Sequence, residues 1–526
     1  MKAMKKLFAM LLATLMMVGM LATTAMADPI TVYVNNDAPN HTYEAYQVFS
    51  GNLNAEGVLS NVQWGSGVNG TTLLAALKSN DSFLKDGVNM FSGAVDAEDV
   101  AQIITGWPYN EANIKNFADV VAANLTDVKA TSAAQAGGKY AIELSGAGYY
   151  LIKDSGTLGT EGATDYLLQI SNTINIDPKI SHPTFEKTVN NSENGTYAKA
   201  IDAQIKDVVW FKLEAGLPSL LNDYKQFHAK FEDIVPTGLT PVEGSSSGKI
   251  YILHADATQT PLTATITRET VAGGTKLTLD LGDIKTQLGT TTLNLNDKII
   301  IKYCATVNTN AVYGLDSELG NKNNAVFTFS NDMNQSSAPY STAQLTSSAS
   351  VYTYQAEFEK VDSVTKAPLQ GAEFYLYRNV GSPAVKTYAH TNSEGLITEW
   401  STAVPTQKLV SGADGKFVVK GLDALTYHLE EVTSPNGYNL MDEDVQITIE
   451  SAMTGQELTS LSMTTDGVAK ASTNLSAGLV TGQINNTAGT KLPTTGGIGT
   501  TIFYIVGGVL VLGAAAAFVM KRRNEA

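Results

Sequence analysis

Phe185-Glu186-Lys187-Thr188-Val189 alternates like a β-strand, with Phe185, Lys187 and Val189 on one face. That face carries two large apolar residues, so it should pack into a core, and the lysine goes with it. Phe358-Glu359-Lys360-Val361 repeats the pattern, with Lys360 on the face of Phe358. An unpaired ammonium group in a core is too costly to persist, so each lysine needs a partner or must lose its proton.

The rest of the chain has the same β character. Alternating, β-branched and aromatic segments fall at 30–34, 139–144, 149–153, 208–213, 249–253, 276–281, 298–307, 325–330, 356–361, 373–377, 416–420 and 445–450. Gly, Asn, Asp and Ser turns separate them, which reads as mainly β, with tandem Ig-like β-sandwich domains. Helical spacing is confined to 72–77, 97–104 and 113–125, so the N-terminal domain should carry some helix.

Phase also proposes partners for the lysines. Asn323-Asn324-Ala325-Val326-Phe327-Thr328-Phe329 puts Asn323 on the face of Ala325, Phe327 and Phe329. Ile484-Asn485-Asn486 puts Asn486 on the face of Ile484. Asp233 and Glu431 each follow an inward-looking apolar residue by two positions. A shift of one residue in strand phase would substitute Asn324, Asn485 or Glu430. Burial lowers a lysine pKa and raises that of an acid, giving a neutral amine beside a protonated carboxyl. The acid can then polarise the Asn carboxamide, the amine can attack, and ammonia leaves. The product is an isopeptide crosslink made once per fold.

The chain ends carry separate signals. Lys2, Lys5 and Lys6 precede an apolar run over 7–21 and then Ala25-Met26-Ala27, as in a cleaved signal peptide covering 1–27. The mature chain is expected to start near Asp28. Near the other end, Leu492-Pro493-Thr494-Thr495-Gly496 precedes an uncharged run over 498–520 and Lys521-Arg522-Arg523. That run is long enough to span a bilayer, with its basic tail on the cytoplasmic side. The order resembles the cell-wall sorting signal of Gram-positive surface proteins, which implies cleavage by a sortase between Thr495 and Gly496.

Of the 526 residues, 35 are basic and 51 acidic. Removing the charged residues of both ends leaves 29 basic against 50 acidic, a net charge of −21. Such a surface repels phosphate backbones, which argues against nucleic acid as a partner. Cys304 is the one cysteine, so no internal disulfide can form, and its place in the apolar segment 298–307 suits a buried thiol.

No cofactor or metal site is expected. The six histidines are scattered, and Gly244-Ser245-Ser246-Ser247-Gly248-Lys249-Ile250 is not a phosphate loop, being one spacer short. Trp64, Trp107, Trp210 and Trp400 suit a core better than a sugar platform.

Residues 184–331 resemble the fimbrial isopeptide-forming domain. The matching motifs are Phe185-Glu186-Lys187-Thr188-Val189, then Phe231-Glu232-Asp233-Ile234-Val235-Pro236-Thr237-Gly238-Leu239, then Asn323 with Ala325 and Phe329. Residues 356–487 resemble a Cna-B-type, prealbumin-like domain through Lys360, Pro368-Leu369-Gln370-Gly371-Ala372-Glu373-Phe374, Asp414-Gly415-Lys416-Phe417, and Glu431 followed by Pro435, Gly437 and Tyr438. The whole is similar to the backbone pilins of sortase-assembled pili.

The resemblance implies crosslinks Lys187–Asn323 and Lys360–Asn486, with Asp233 and Glu431 as their acids. It also implies a lysine that receives the Thr495 acyl group of another subunit. Asp177-Pro178-Lys179 stands where such pilins carry Tyr-Pro-Lys, so Lys179 is the expected acceptor although Asp177 departs from the motif. Implied partners are further copies of this chain, minor pilins, a class C-type pilin sortase, a housekeeping sortase and peptidoglycan. The expected organisation is a signal peptide (1–27), an N-terminal pilin domain (28–178), an isopeptide-forming sandwich (179–348), a Cna-B-type sandwich (349–490) and a sorting signal (491–526).

The N-terminal domain has no lysine from Asp28 to Leu77, and Lys153 stands where its acid would be needed, so no crosslink is expected there. The alternative function is a wall-anchored or pilus-tip adhesin for a host surface ligand. An enzyme would need a turnover site, and no residue pattern supplies one.

Overall fold

The computed structural model describes residues 30–53, 58–107, 112–156, 159, 166–177, 182–218, 220–291, 293–294, 296–315, 320–333, 338–466, 468–471, 474–490 and 498–524. The expected signal peptide, Lys179 and the Leu492–Gly496 motif lie outside the described residues.

Three β domains follow one another. In the N-terminal domain, Ile30–Asn35 pairs in parallel with Ile174–Ile176 and antiparallel with Lys139–Leu144. A second sheet runs Leu59–Trp64, Tyr43–Leu53, Gly148–Asp154, Tyr166–Ile170. Helices Gly70–Ser79, Ala97–Thr105 and Ala112–Ala122 lie where the apolar spacing placed them. Asn69 and Asp96 cap the first two by accepting bonds from the backbone N–H of Thr72 and Asp99. Their apolar faces bury Leu73, Leu77, Val100, Phe117 and Val121 with Phe83 and Phe91, and Trp64 and Trp107 pack against this cluster. Each such side chain contributes about 1.5–3 kcal/mol when fully buried.

The middle domain is a sandwich of two sheets. One runs Thr184–Asn190, Val208–Gly216, Lys298–Val307, Ile250–Leu253, Gln259–Pro261. The other runs Ala200–Asp202, Thr342–Tyr352, Asn321–Ser330, His228–Pro236, Gly274–Asp283, Thr265–Val271. Phe211, Phe231, Phe327, Phe329, Ile299 and Ile301 fill the space between them, and Cys304 is buried.

In the C-terminal domain, Tyr354–Asp362 is the centre of a three-stranded sheet. It lies antiparallel to Lys416–Leu422 and parallel to Leu479–Asn486. The facing sheet includes Glu373–Val380, Thr426–Thr433, Val445–Thr454 and Glu457–Thr465.

One expected boundary is corrected. The expected organisation ends the middle sandwich at 348 and begins the C-terminal one at 349. Instead Thr342–Tyr352 is a strand of the middle domain, hydrogen-bonded along Asn321–Ser330. The chain crosses to the C-terminal domain at Thr353, whose hydroxyl donates to the Ala203 carbonyl. The two domains meet tightly there. The Ile205 N–H donates to the Gly421 carbonyl at 3.1 Å, Ser451 Oγ donates to Asp202 at 2.7 Å, and Gln456 bonds both Ser348 and Ser350. Gly421 has φ +96°, and a Cβ there would collide with Ile205, so the close approach requires glycine.

The helix Ile498–Asn524 packs on neither sandwich. Its segment Ile502–Arg523 is long and apolar enough to cross a membrane.

Candidate functional site

Strand alternation carries both core lysines inward. Lys187, Asp233 and Asn323 are each 0% exposed. Lys187 comes from one sheet of the middle domain, while Asp233 and Asn323 come from the other, on adjacent antiparallel strands in which Asp233 lies opposite Ala325. Lys187 Nζ donates to Asp233 Oδ2 at 2.6 Å. The Nζ also lies 4.9 Å from the centre of the Phe211 ring, in cation–π range.

A fourth residue completes this cluster. Tyr303, from the strand Lys298–Val307, donates to Asp233 Oδ2 at 2.7 Å, and its oxygen accepts from Asn323 Nδ2 at 2.8 Å and from Lys187 Nζ at 3.2 Å. Sequence reasoning missed it. The available signal was its phase, inward with Ile301 and Ala305, because a buried tyrosine hydroxyl needs a partner. Burial pushes the Lys187 amine down to about 8, against the opposing pull of the Asp233 charge. Burial, with Asp233 close by, holds the Tyr303 hydroxyl well above its ordinary range.

In the C-terminal domain the cluster is simpler. Lys360 and Asn486 come from neighbouring parallel strands, with Lys360 opposite Ile484 and Asp362 opposite Asn486. Glu431 reaches across from the facing sheet. Its Oε1 lies 3.2 Å from Lys360 Nζ and accepts from Asn486 Nδ2 at 3.1 Å. Glu431 Oε2 takes the backbone N–H of Met441 at 2.9 Å, which fixes the carboxylate. Lys360 is 0%, Glu431 7% and Asn486 3% exposed, and burial lowers the Lys360 pKa.

The alternatives left by strand phase point elsewhere. Asn324 and Asn485 face solvent, and Glu430 pairs with the surface Lys386. In the N-terminal domain Glu44 accepts from Lys129 and Tyr46, and Lys129 is about one-third exposed. Among the described residues no group of three His, Cys, Asp or Glu is placed to hold a metal. Each of the two buried clusters instead joins an amine, a carboxamide and a carboxyl in a dry core, the reactant set for exchanging one amide for another.

Known proteins resemble this chain in its fold and in its C-terminal end. Residues 354–462 match the SpaA family, a prealbumin-like fold domain, and residues 484–526 match the LPXTG cell wall anchor motif. The trypsin-resistant surface T6 protein of Streptococcus pyogenes serotype M6 is 30% identical over 284 residues, covering 43% of this chain and 48% of that protein. The chain therefore spans about half the length of this curated relative. The solved T6 backbone pilin of serotype M6 Streptococcus pyogenes, described as a modular three-domain structure, superposes with a TM-score of 0.51 at 17% identity. The match covers 88% of this chain and 99% of that one.

Fold and anchor together define a cell-wall-anchored bacterial surface protein built from tandem β-sandwich domains. More particularly, the matched part of the chain is similar in sequence to the T6 surface protein, and its overall fold is like that of the solved T6 backbone pilin.

Proposed function

We propose that this chain is the repeating shaft subunit of a covalent pilus. The observation that carries the reading is the presence, in one chain, of a cell-wall anchor motif and two buried Lys–carboxylate–Asn clusters. A sortase cysteine takes the Thr495 acyl group and releases the segment from Gly496 onward. The Lys179 amine of another copy resolves the thioester as a Thr495–Lys179 amide. Repetition gives an open head-to-tail polymer, because the contact is heterologous and does not close. A pilin-type sortase would perform this joining, a housekeeping sortase would pass the last subunit to peptidoglycan, and minor pilins would decorate the fibre.

Each subunit also crosslinks itself. The neutral Lys187 amine attacks the Asn323 carboxamide and ammonia leaves, and Lys360 does the same to Asn486. Asp233 and Glu431 take the surplus proton from each attacking nitrogen and return one to the nitrogen that leaves as ammonia. Close placement in a water-free core supplies most of the rate.

Two measurements test the reading. Lys179→Ala should abolish the high-mass ladder on denaturing gels; an unchanged ladder would leave the wall-anchored adhesin as the better account. Intact mass of the folded protein should fall short of the sequence mass by two molecules of ammonia, and a full sequence mass would remove both crosslinks.

A further inference from the structure

We infer that Tyr303 is a catalytic residue of the middle-domain crosslink, relaying a proton from Asp233 to the leaving nitrogen of Asn323. The inference rests on the reading of the buried clusters as crosslinking sites.

The two clusters solve one geometric problem with acids of different length. Glu431 touches both reactants itself, at 3.2 Å from Lys360 Nζ and 3.1 Å from Asn486 Nδ2. Asp233 is one methylene shorter, about 1.5 Å of chain. It reaches Lys187 Nζ at 2.6 Å, but the hydroxyl that accepts from Asn323 Nδ2 at 2.8 Å belongs to Tyr303. Tyr303 in turn donates to Asp233 Oδ2 at 2.7 Å. Its oxygen therefore contacts the nucleophile, the acid and the leaving group together.

The remaining polar atoms leave no other path. Asp233 Oδ1 and Asn323 Oδ1 are both buried without a hydrogen-bond partner among the described residues. A proton moving between acid and amide by hydrogen bonds must pass through the Tyr303 hydroxyl. Among the described residues the C-terminal cluster has no such hydroxyl; Lys360 Nζ meets Met441 Sδ and the Phe374 ring instead. Burial keeps the Tyr303 phenol protonated at neutral pH, the form a relay needs.

The step balances. The Lys187 nitrogen forms a bond to Cγ of Asn323 and passes its surplus proton to Asp233. Asp233 passes a proton to the Tyr303 oxygen while the Tyr303 proton moves to Nδ2. The Cγ–Nδ2 bond then breaks with its electron pair on nitrogen, and ammonia departs. Nothing is oxidised, and Asp233 and Tyr303 end as they began.

The test follows the intact mass of the whole protein over time, with peptide mapping to assign each crosslink. Tyr303→Phe should slow or abolish ammonia loss at Lys187–Asn323, by roughly 10²–10⁴-fold for a lost proton relay. Loss at Lys360–Asn486 should be untouched, which shows in the same molecule that the chain has folded. Adding Asp233→Glu to Tyr303→Phe should restore the middle crosslink, because the longer acid then spans the gap as Glu431 does. A Tyr303→Phe protein that crosslinks at the unaltered rate overturns the inference. So does loss of the crosslink without rescue by Glu, which would leave Tyr303 a packing role. Absence of the middle crosslink in the unaltered protein would instead sink the crosslinking reading and is distinguishable from both.

Discussion

Pulling on the subunit through positions 179 and 495 should extend it far less than its length allows. Load would enter after the N-terminal domain, so residues 28–178 lie outside the path. It would reach Lys187, cross to Asn323, follow the chain to Lys360, and cross again to Asn486. The extensible chain is then the segment between Asn323 and Lys360, about 36 residues, or at most roughly 120–130 Å. That segment is a hairpin loaded at its open end, since Asn321 lies opposite Val351 and Asn323 opposite Ala349, so the force unzips it pair by pair. Lys187→Ala would release the chain between 187 and 323 as well, adding roughly 450–490 Å. Single-molecule force spectroscopy of the full chain, held at those two positions, measures both lengths. An unaltered protein that extends well beyond 130 Å, or a Lys187→Ala protein that extends no further than it, would refute the load path.

Other consequences are thermodynamic. Asn486→Ala opens a covalent loop of roughly 125 residues, which the loop-entropy argument values at about 5 kcal/mol. Calorimetry should show the C-terminal domain melting lower by on the order of 15 °C. Asn323→Ala leaves Lys187 as a buried amine lowered to about 8 by burial. Its folded pKa lies below the unfolded value of 10.5, so that variant should gain stability as pH rises from about 8 to about 10.5. The crosslinked protein, whose Lys187 is an amide, should show no such rise in urea titrations. At the domain junction, burial raises the Asp423 carboxyl to about 7, beside Tyr427, Asp202, Asp207 and Arg378. Its contribution is full below about 4 and lost as pH rises through about 7, so the junction should loosen by pH 8, and Asp423→Asn should remove that dependence in hydrogen exchange.

The sandwiches were legible because their strands keep a strict period of two, and the core lysines were legible because they break the rule that period sets. Helices were legible from caps and spacing, as at Asn69 and Asp96. Thr342–Tyr352 was not, because its inward residues include Ala343 and Ala349, too small to announce an apolar face. Serine-rich composition is common in linkers, yet Ser348 and Ser350 are bonded to Gln456 of the next domain. Tyr303 was hidden for the opposite reason. In Lys298–Val307 an inward aromatic is what a core demands, and only the geometry reveals that its hydroxyl links acid to amide.

Placing a lysine in a core is costly before reaction and useful after it. Each unreacted cluster holds an amine and a carboxyl out of water, where an ion pair is at best a weak source of stability. Conversion of the amine to an amide removes the charge that burial penalises, and the departing ammonia escapes to solvent, so reversal is disfavoured. On the proposed reading, the folding energy of the apolar core drives the reactants together once, and the covalent bond would then hold what the core alone would not. A chain with one buried cysteine has no disulfide available for that task. The two clusters divide it between them. The proposed Lys187–Asn323 bond would tie one sheet of the middle sandwich to the other, whereas Lys360–Asn486 would tie the first strand of the C-terminal domain to the last. A fibre joined as proposed at Lys179 and Thr495 would need both, because a sandwich left uncrosslinked would unfold under load and set the strength of the whole.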